Sequence, residues 1–195
     1  VVGGEFALAG TAVASRVATY DPATGIWSAL GSGLNGTVYA VAAMPNGDLV
    51  VGGQFTVAGG VPADNIARWN GSSWSALGSG TDQRVQALAA LPNGDLIAGG
   101  LFSTAGGALA NCIARWNGVT WSPLSTGANN QVQSLTVMPN GDVVAGGSFV
   151  TAGGVTVNRI ARWNGATWST LGAGFGVAVR ALTVYPNGDL LVGFD

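Results

Sequence analysis

The stretch VYAVAAMPNGDLVVGGQF, residues 38–55, decides the fold because the chain repeats it at a fixed interval. It returns as VQALAALPNGDLIAGGLF at residues 85–102, which is 47 positions later. Its central Pro-Asn-Gly-Asp motif occurs four times at this spacing, at residues 45–48, 92–95, 139–142 and 186–189. A period of this length, constant over four copies, is typical of proteins that stack copies of one small structural unit.

Each repeat unit is predicted to form four short β-strands, which we name a to d in chain order. Strand a, for example Val85 to Leu91, leads through Asn93-Gly94 into strand b, Asp95 to Gly100. Because Asn-Gly between apolar runs is a strong signal for a two-residue hairpin, we expect both turn residues to take positive φ. Strand c, Ile113 to Asn117, turns at the next Asn-Gly into strand d, Thr120 to Leu124. The unit is therefore an antiparallel sheet, and no segment has a helical period of useful length.

The apolar character of strand a on both of its faces determines how these sheets assemble. One four-stranded sheet cannot cover both faces alone, so that each sheet must be sandwiched between others. Identical sheets can stack as an open solenoid or as a closed ring, and antiparallel units of about 40 to 50 residues favour the ring. The predicted fold class is all-β, a β-propeller of four-stranded antiparallel blades, with a β-solenoid as the less favoured alternative.

The repeat divides the chain into five parts of a single propeller segment, residues 1–195. A partial blade, three complete blades and a second partial blade follow one another as residues 1–35, 36–82, 83–129, 130–176 and 177–195. The first part holds strands b to d and the last holds strands a and b, which makes seventeen strands in all. A ring of four blades has only sixteen positions, and strand b would occur twice in the closing blade. We therefore expect an arc of a larger ring, completed by further blades of the same chain or by a second copy.

Residues of the first unit resemble the signature of kelch repeats. A double glycine follows an apolar strand in Val1-Val2-Gly3-Gly4, and Tyr20-Asp21-Pro22-Ala23-Thr24-Gly25-Ile26-Trp27 is similar to the kelch tyrosine-to-tryptophan segment. Later units keep the double glycine and the strand d tryptophan but replace the tyrosine with Trp69, Trp116 and Trp163. The resemblance covers the whole chain. It implies that strand a lines the central channel, that strand d is outermost, and that the b–c and d–a loops share one face of the ring.

The composition argues against catalysis and against two classes of partner. The chain has no His, its seven basic residues are all Arg, and its formal net charge is −2. Nucleophile–His pairs therefore cannot form. Kelch-type propellers include copper oxidases of the galactose oxidase kind, whose site needs two His, two Tyr and a Tyr–Cys crosslink, so that the resemblance here implies that fold without its catalytic residues. We expect no enzyme activity, no cofactor and no metal. The absence of a basic patch and of a long apolar run predicts no nucleic-acid binding and no membrane insertion.

Two features that could suggest chemistry have simpler interpretations. Gly31-Ser32-Gly33-Leu34-Asn35-Gly36 matches the glycine pattern of dinucleotide-binding turns, but a strand follows it where that fold requires a helix. Cys112 is the only cysteine. Its apolar neighbours indicate a small buried hydrophobic residue in preference to a reactive thiol.

The turn aspartate of each complete blade is expected to pair with an arginine of strand c. The aspartate opens strand b, and the arginine lies near the end of the antiparallel strand c, so that both come to the same end of the blade within reach of a guanidinium. The predicted pairs are Asp48 with Arg68, Asp95 with Arg115, and Asp142 with Arg162.

Polar residues that differ between the units lie mostly in the b–c and d–a loops. Variable loops on a repeated frame are the pattern of a binding surface. The candidate binding residues on this loop face are Asp64, Asp82, Arg84, Gln131 and Arg159. In a lectin, sugars would instead stack on the strand c tryptophans, Trp69, Trp116 and Trp163. Because large rings fill the wedge between blades, we expect the tryptophans of strands c and d to be mostly buried.

The function that the sequence favours is a non-catalytic repeat propeller that acts as a binding, adhesion or structural module. Its ligand would be a protein or a glycan. Abundant Gly, Asn, Ser and Thr without Lys suits an extracellular or cell-surface protein, with a bacterial source as the expectation. The main alternative is a multivalent carbohydrate-binding propeller, and a second alternative is a supporting propeller domain of a larger enzyme.

Overall fold

The computed structural model describes residues 1–194 as an all-β protein. Asp195, the last residue of the predicted part 177–195, lies outside the described residues. Seventeen strands form five antiparallel sheets, which we number as blades 1 to 5. Blade 1 contains Val2–Gly3, Val17–Asp21 and Ile26–Ala29. Blade 2 contains Thr37–Ala43, Leu49–Gln54, Ile66–Trp69 and Trp74–Ala76. Blade 3 contains Val85–Ala90, Leu96–Gly100, Ile113–Trp116 and Trp121–Pro123. Blade 4 contains Val132–Val137, Val143–Gly147, Ile160–Trp163 and Trp168–Thr170. Blade 5 contains Val179–Val184 and Leu190–Phe194.

The order of strands in every complete blade is a-b-c-d, as predicted. In blades 2 to 5, strand a of one blade packs against strand a of the next, and in each complete blade strand d lies at the far edge of the sheet. The chain is therefore an arc of a propeller whose inner wall is formed by strands a. Completion of the ring by more chain or by a second copy stays a prediction. No helix within residues 1–194 is long and apolar enough to cross a membrane.

Eight further strands were not predicted from the sequence. They form a short hairpin in each b–c loop, namely Leu8–Ala9 with Ala12–Val13, Val57–Ala58 with Val61–Pro62, Thr104–Ala105 with Ala108–Leu109, and Thr151–Ala152 with Val155–Thr156. In blade 2 the turn is Gly59-Gly60, and both glycines have positive φ, +59° and +83°. This is the φ pattern of a type I′ turn, whose twist suits a two-residue hairpin.

The a–b turn differs from the two-residue turn that the Asn-Gly signal predicted. Gly47 has a φ of +88°, but Asn46 has no positive φ, so the prediction for Asn was wrong. The Gly47 N–H donates to Met44 O (2.9 Å), and the Met44 N–H donates to Asp48 O (2.8 Å). These bonds define a three-residue loop in which a type I turn is followed by a left-handed glycine. The reason is Pro45, whose fixed φ suits the first central position of a type I turn and which has no N–H for a strand ladder.

The strand d tryptophans of blades 2, 3 and 4 connect each of these blades to the preceding one. Their side chains are buried, and each Nε1–H donates to the carbonyl oxygen of a buried leucine that lies 44 residues earlier in the chain. The three bonds run from Trp74 to Leu30 (2.9 Å), from Trp121 to Leu77 (2.8 Å) and from Trp168 to Leu124 (3.0 Å). The predicted burial between blades is confirmed for this set of tryptophans.

A serine occupies a glycine position beside these leucines. Gly31 and Gly78 follow Leu30 and Leu77 with φ of +58° and +61°, and Ser125 follows Leu124 with φ of +59°. A left-handed backbone costs roughly 1–2 kcal/mol for a residue with a Cβ, whereas glycine adopts it freely.

We expect Ser125→Gly to raise the free energy of unfolding by about 0.5–1 kcal/mol, because the relief of backbone strain exceeds the extra entropy of glycine in the unfolded chain. Urea denaturation measures the change. Gly78→Ser is the matched control and should lower the stability by a similar amount. A Ser125→Gly variant that is no more stable than the wild type would contradict this account.

Both ends of the arc expose apolar side chains. Leu191 and Phe194 in the last strand are 46% and 54% exposed, and this strand pairs only with Val179–Val184 within the described residues. Exposed strand edges with apolar side chains favour pairing with another chain.

We therefore expect the isolated chain of residues 1–195 to self-associate, with a mass above that of one chain by size-exclusion chromatography with light scattering. Leu191→Lys should shift it towards the monomer because a charge on the edge strand opposes pairing. Val119→Lys, in an exposed c–d turn, should have no effect. A wild-type chain that stays monomeric at about 100 μM, well above the micromolar range of weak association, would refute the expectation.

Candidate binding site

The three predicted ion pairs are present on the face that carries the a–b turns. Asp48 Oδ2 lies 2.5 Å from Arg68 Nη2, Asp95 Oδ2 lies 2.6 Å from Arg115 Nη2, and Asp142 Oδ2 lies 3.0 Å from Arg162 Nε. Each aspartate also accepts a hydrogen bond from the turn asparagine two residues earlier. The aspartates are buried and the arginines are about half exposed, so that solvent limits each pair to roughly 1 kcal/mol or less. The pairs stabilise the a–b turn by connecting it to strand c.

The strand c tryptophans are only partly buried, so the expectation of burial was too strong for them. Trp69, Trp116 and Trp163 each form a tilted pair with the strand d tryptophan of the same blade, with ring centroids 5.3–5.4 Å apart. Trp116 lines a groove of about 250 Å³ between blades 2 and 3, together with Arg68 and Asn93. Trp163 lines a related groove of about 210 Å³ between blades 3 and 4.

A larger cleft, of about 440 Å³, opens between blades 2 and 3 on the loop face. It lies where strands a begin and strands b end, beside the b–c loops. Of the five candidate binding residues, it contains two, Asp82 and Arg84. The other lining residues are Asn35, Gly36, Gln54, Phe55, Thr56, Asn65, Gln83 and Leu101.

Asp82 is part of the frame of the cleft. Its Oδ1 accepts hydrogen bonds from the N–H groups of Ser103 and Thr104, both at 2.9 Å, and its Oδ2 accepts one from the Ser103 hydroxyl at 2.5 Å. Asn35 and Asn129 make the same two backbone bonds in the neighbouring units. Burial opposes ionisation of Asp82, but these hydrogen bonds outweigh it and lower the pKa of its carboxyl. The carboxylate therefore holds the b–c hairpin, and a binding role for it stays a prediction.

Arg84 immediately precedes strand a of blade 3 and is half-buried at the side of the cleft. Its Nε is buried and has no acceptor among residues 1–194, and no ion pair to it is found in that range. A buried donor without a partner is uncommon in folded proteins. The side chain thus brings a positive charge to the lining of the cleft, and its buried Nε–H has no acceptor among residues 1–194.

The structure does not bring the remaining three candidate residues into the cleft. Gln131 donates a hydrogen bond to Gln86 on the inner strand of blade 3. Arg159 donates to Ser148 O (2.6 Å) within blade 4. Asp64 is exposed next to the cleft residue Asn65 but is not itself part of the lining.

Among the polar cleft residues that were not predicted from the sequence are Gln54, Asn65 and Gln83. A signal for them was present in the repeat. One period later, Gln54 is replaced by Leu101, Asn65 by Cys112, and Gln83 by Asn130. Gln131 was the one uncharged candidate, and these other variable uncharged positions were not predicted.

Two family models match the chain. The model of the Rax2 C-terminal β-propeller domain matches residues 1–121, and that of a β-propeller domain of unknown function, DUF5122, matches residues 139–165. The chain belongs to the Rax2 C-terminal β-propeller family. Membership of this family confirms the propeller, whereas the kelch-like assignment of the repeat stays a prediction. The chain matches none of the curated proteins.

Solved propellers with different functions share the fold of this chain. The WD40 β-propeller domain of Doa1 is 19% identical, with a TM-score of 0.55, over 82% of this chain and 48% of that chain. The extracellular domain of the hybrid two component system BT4673 from B. thetaiotaomicron is 13% identical, with a TM-score of 0.60, over 91% of this chain and 23% of that chain. The gluconolactonase XC5397 from Xanthomonas campestris is 12% identical, with a TM-score of 0.57, over 91% of this chain and 61% of that chain. The chain thus spans about half of the Doa1 domain and less than two thirds of the other two. These likenesses show the fold alone.

Cys112 lies one repeat after the cleft residue Asn65 and is half-buried, less than the sequence indicated. Its backbone is left-handed, with φ of +64°. Burial, with a smaller contribution from the charge of Asp82, raises the pKa of its thiol to about 11. The thiol is therefore neutral at physiological pH, where only the thiolate is nucleophilic.

We expect iodoacetamide at pH 8 to alkylate Cys112 roughly 100-fold more slowly than a free cysteine with a pKa of about 8.5. The rate should rise with pH until the pH passes about 11. Mass spectrometry of the alkylated protein measures the rate, and the chain unfolded in guanidinium chloride is the control, which should react as free cysteine does. A native rate close to that of the unfolded chain would show that the thiol is not suppressed.

Proposed function

We propose that this chain is a non-catalytic binding module that recognises a protein ligand, as an exposed peptide segment, in the loop-face cleft between blades 2 and 3. The observation that carries the proposal is the placement of variable residues on a repeated frame. Asn35, Asp82 and Asn129 perform the same structural duty in successive units. The other polar residues of the cleft differ from their counterparts one period away, as Gln54 and Gln83 do.

The chemistry of the cleft supports binding in preference to catalysis. Its only carboxylate, Asp82, accepts three hydrogen bonds and has a lowered pKa, which makes it a weak general base. No His is available anywhere in the chain as an alternative. One of the solved propellers of similar fold is a gluconolactonase, but a shared fold does not carry over a function.

The proposal includes an extracellular or cell-surface location with a role in adhesion or surface architecture. The composition supports this, since the chain combines 33 Gly residues with many Asn, Ser and Thr and has no Lys. A bacterial source and a role as the supporting propeller of a larger enzyme are further proposals from the sequence alone.

A second candidate function, carbohydrate binding, is favoured by the grooves on the opposite face. Trp116 and Trp163 are partly exposed in successive grooves, each beside the Asp–Arg pair of a neighbouring blade. An aromatic ring next to charged hydrogen-bonding groups suits the apolar face and the hydroxyl groups of a sugar. Each groove is small, which makes this the second candidate.

A parallel screen distinguishes the two candidates. Displayed random linear peptides and a glycan array are both probed with the folded chain. We expect selected peptides to bind, and the double variant Gln54→Ala, Gln83→Ala to weaken their binding at least about tenfold, which corresponds to roughly 1.4 kcal/mol. Val119→Ala, in an exposed c–d turn on the opposite face, is the control and should bind as the wild type does.

Two results would overturn the proposed function. One is the absence of any selected peptide that the cleft variant affects. The other is glycan binding that Trp163→Ala abolishes while the cleft variant leaves it unchanged, which would establish the second candidate instead.

A further inference from the structure

We propose that Arg84 binds a carboxylate of the ligand, so that the partner of the loop-face cleft is an acidic peptide segment. This inference rests on the proposed function and adds the chemical class of the ligand. It begins from the state of Arg84, whose buried Nε has no acceptor within the described part of the chain. Because folded proteins rarely leave a buried N–H unpaired, the unused donor indicates that an acceptor from outside the chain completes the site.

The acceptor does not come from the carboxylate that is already in the cleft. Both oxygens of Asp82 accept hydrogen bonds from Ser103 or Thr104, and no ion pair joins Asp82 to Arg84. Rotation of Asp82 towards Arg84 would release the backbone N–H groups of the b–c hairpin. Asp82 and Arg84 therefore lie in the same cleft, but the Asp82 carboxylate is already hydrogen-bonded to the b–c hairpin.

The shape of a guanidinium favours a carboxylate as the external acceptor. A guanidinium presents parallel N–H groups that match the two oxygens of a carboxylate. The amides of Gln54 and Gln83 lie in the same cleft and can donate to the peptide bonds beside it. A phosphate would fit the guanidinium as well, but its second negative charge would meet the repulsion of Asp82. The single charge of an Asp or Glu side chain suits this cleft better.

The distribution of charge over the arc supports an acidic partner. All four arginines outside the turn ion pairs, Arg16, Arg84, Arg159 and Arg180, lie at the loop end of their strands or in the loops. Within the described residues, the same end carries three carboxylates, those of Glu5, Asp64 and Asp82. The turn end has three arginines and five carboxylates. Within residues 1–194 the loop end is therefore less negative than the turn end, which favours an acidic ligand at the loop end over one at the turn end.

The test uses the peptides selected on the folded wild-type chain. Each is synthesised in three forms, with its Asp or Glu residues intact, with these residues changed to Asn or Gln, and with one of them changed to phosphoserine. Affinities are measured for the wild type, Arg84→Gln, Arg84→Lys and Arg16→Gln. Arg16 is the matched control because it carries the same charge at the loop end but does not line the cleft. Circular dichroism and thermal melting establish that each variant is folded.

We expect the acidic form to bind the wild type at least about tenfold more tightly than the amide form. This preference should disappear in Arg84→Gln, decrease in Arg84→Lys and persist in Arg16→Gln, and the affinity of the acidic form should fall as salt is added. An unchanged preference in a folded Arg84→Gln or Arg84→Lys variant would overturn the inference. Tighter binding of the phosphoserine form would overturn it in favour of phosphate.

The two proposals fail in different ways. Peptides that the Gln54→Ala, Gln83→Ala variant releases, but that bind equally in acidic and amide forms, would refute the carboxylate site and leave the proposed function standing. Peptides that no cleft variant affects would refute the proposed function as well.

Discussion

The hydrogen bond from the strand d indole of blades 2, 3 and 4 to a leucine carbonyl of the preceding blade is the interaction on which the arc depends. A four-stranded sheet with two apolar faces is stable only between neighbours, so that the contact between blades determines the stability of the whole. The buried indole of Trp121 belongs to an apolar cluster of residues from blades 2 and 3, and its N–H donates to the carbonyl of Leu77. A tryptophan in a core needs such an acceptor, because an unpaired buried N–H is costly. The bond thus fixes the position of one blade on the next as well as their distance.

The contacts that stabilise the fold leave several positions on the loop face free to vary. Strands a and the strand d indoles connect neighbouring blades, the Asp–Arg pairs support the a–b turns, and Asn35, Asp82 and Asn129 hold the b–c hairpins. None of these contacts constrains Gln54, Gln83 or Arg84. A repeated frame with free positions at one end is the arrangement that many binding proteins use, since those positions can change without loss of the fold.

Much of the fold was predictable because the pattern of each strand recurs in several repeat units, whereas the site was predictable only in part. Antiparallel neighbours place Asp95 and Arg115 at the same end of a blade, and the structure contains that pair. The Asn-Gly signal correctly predicted the hairpin but not its turn type. Pro45 favours a type I turn, which a prediction based on the Asn-Gly pair alone does not take into account. The acceptors of the indole N–H groups could not be found, since they are backbone atoms 44 residues away. Asp82 and Arg84 were found by their charge, but Gln54 and Gln83 needed a comparison of equivalent positions.

The electrostatics of the cleft follow from one substitution in the frame. Asn35 and Asn129 hold their hairpins with a neutral amide, whereas Asp82 does so with a carboxylate that also accepts the hydroxyl of Ser103. The hairpin does not require that charge, because the amide makes the same two backbone bonds. Asp82 and Arg84 line the same cleft, and a partly buried guanidinium is less costly to hold where an opposite charge is present. The two groups form no ion pair within residues 1–194, so that a ligand carboxylate at Arg84 would have no such pair to break.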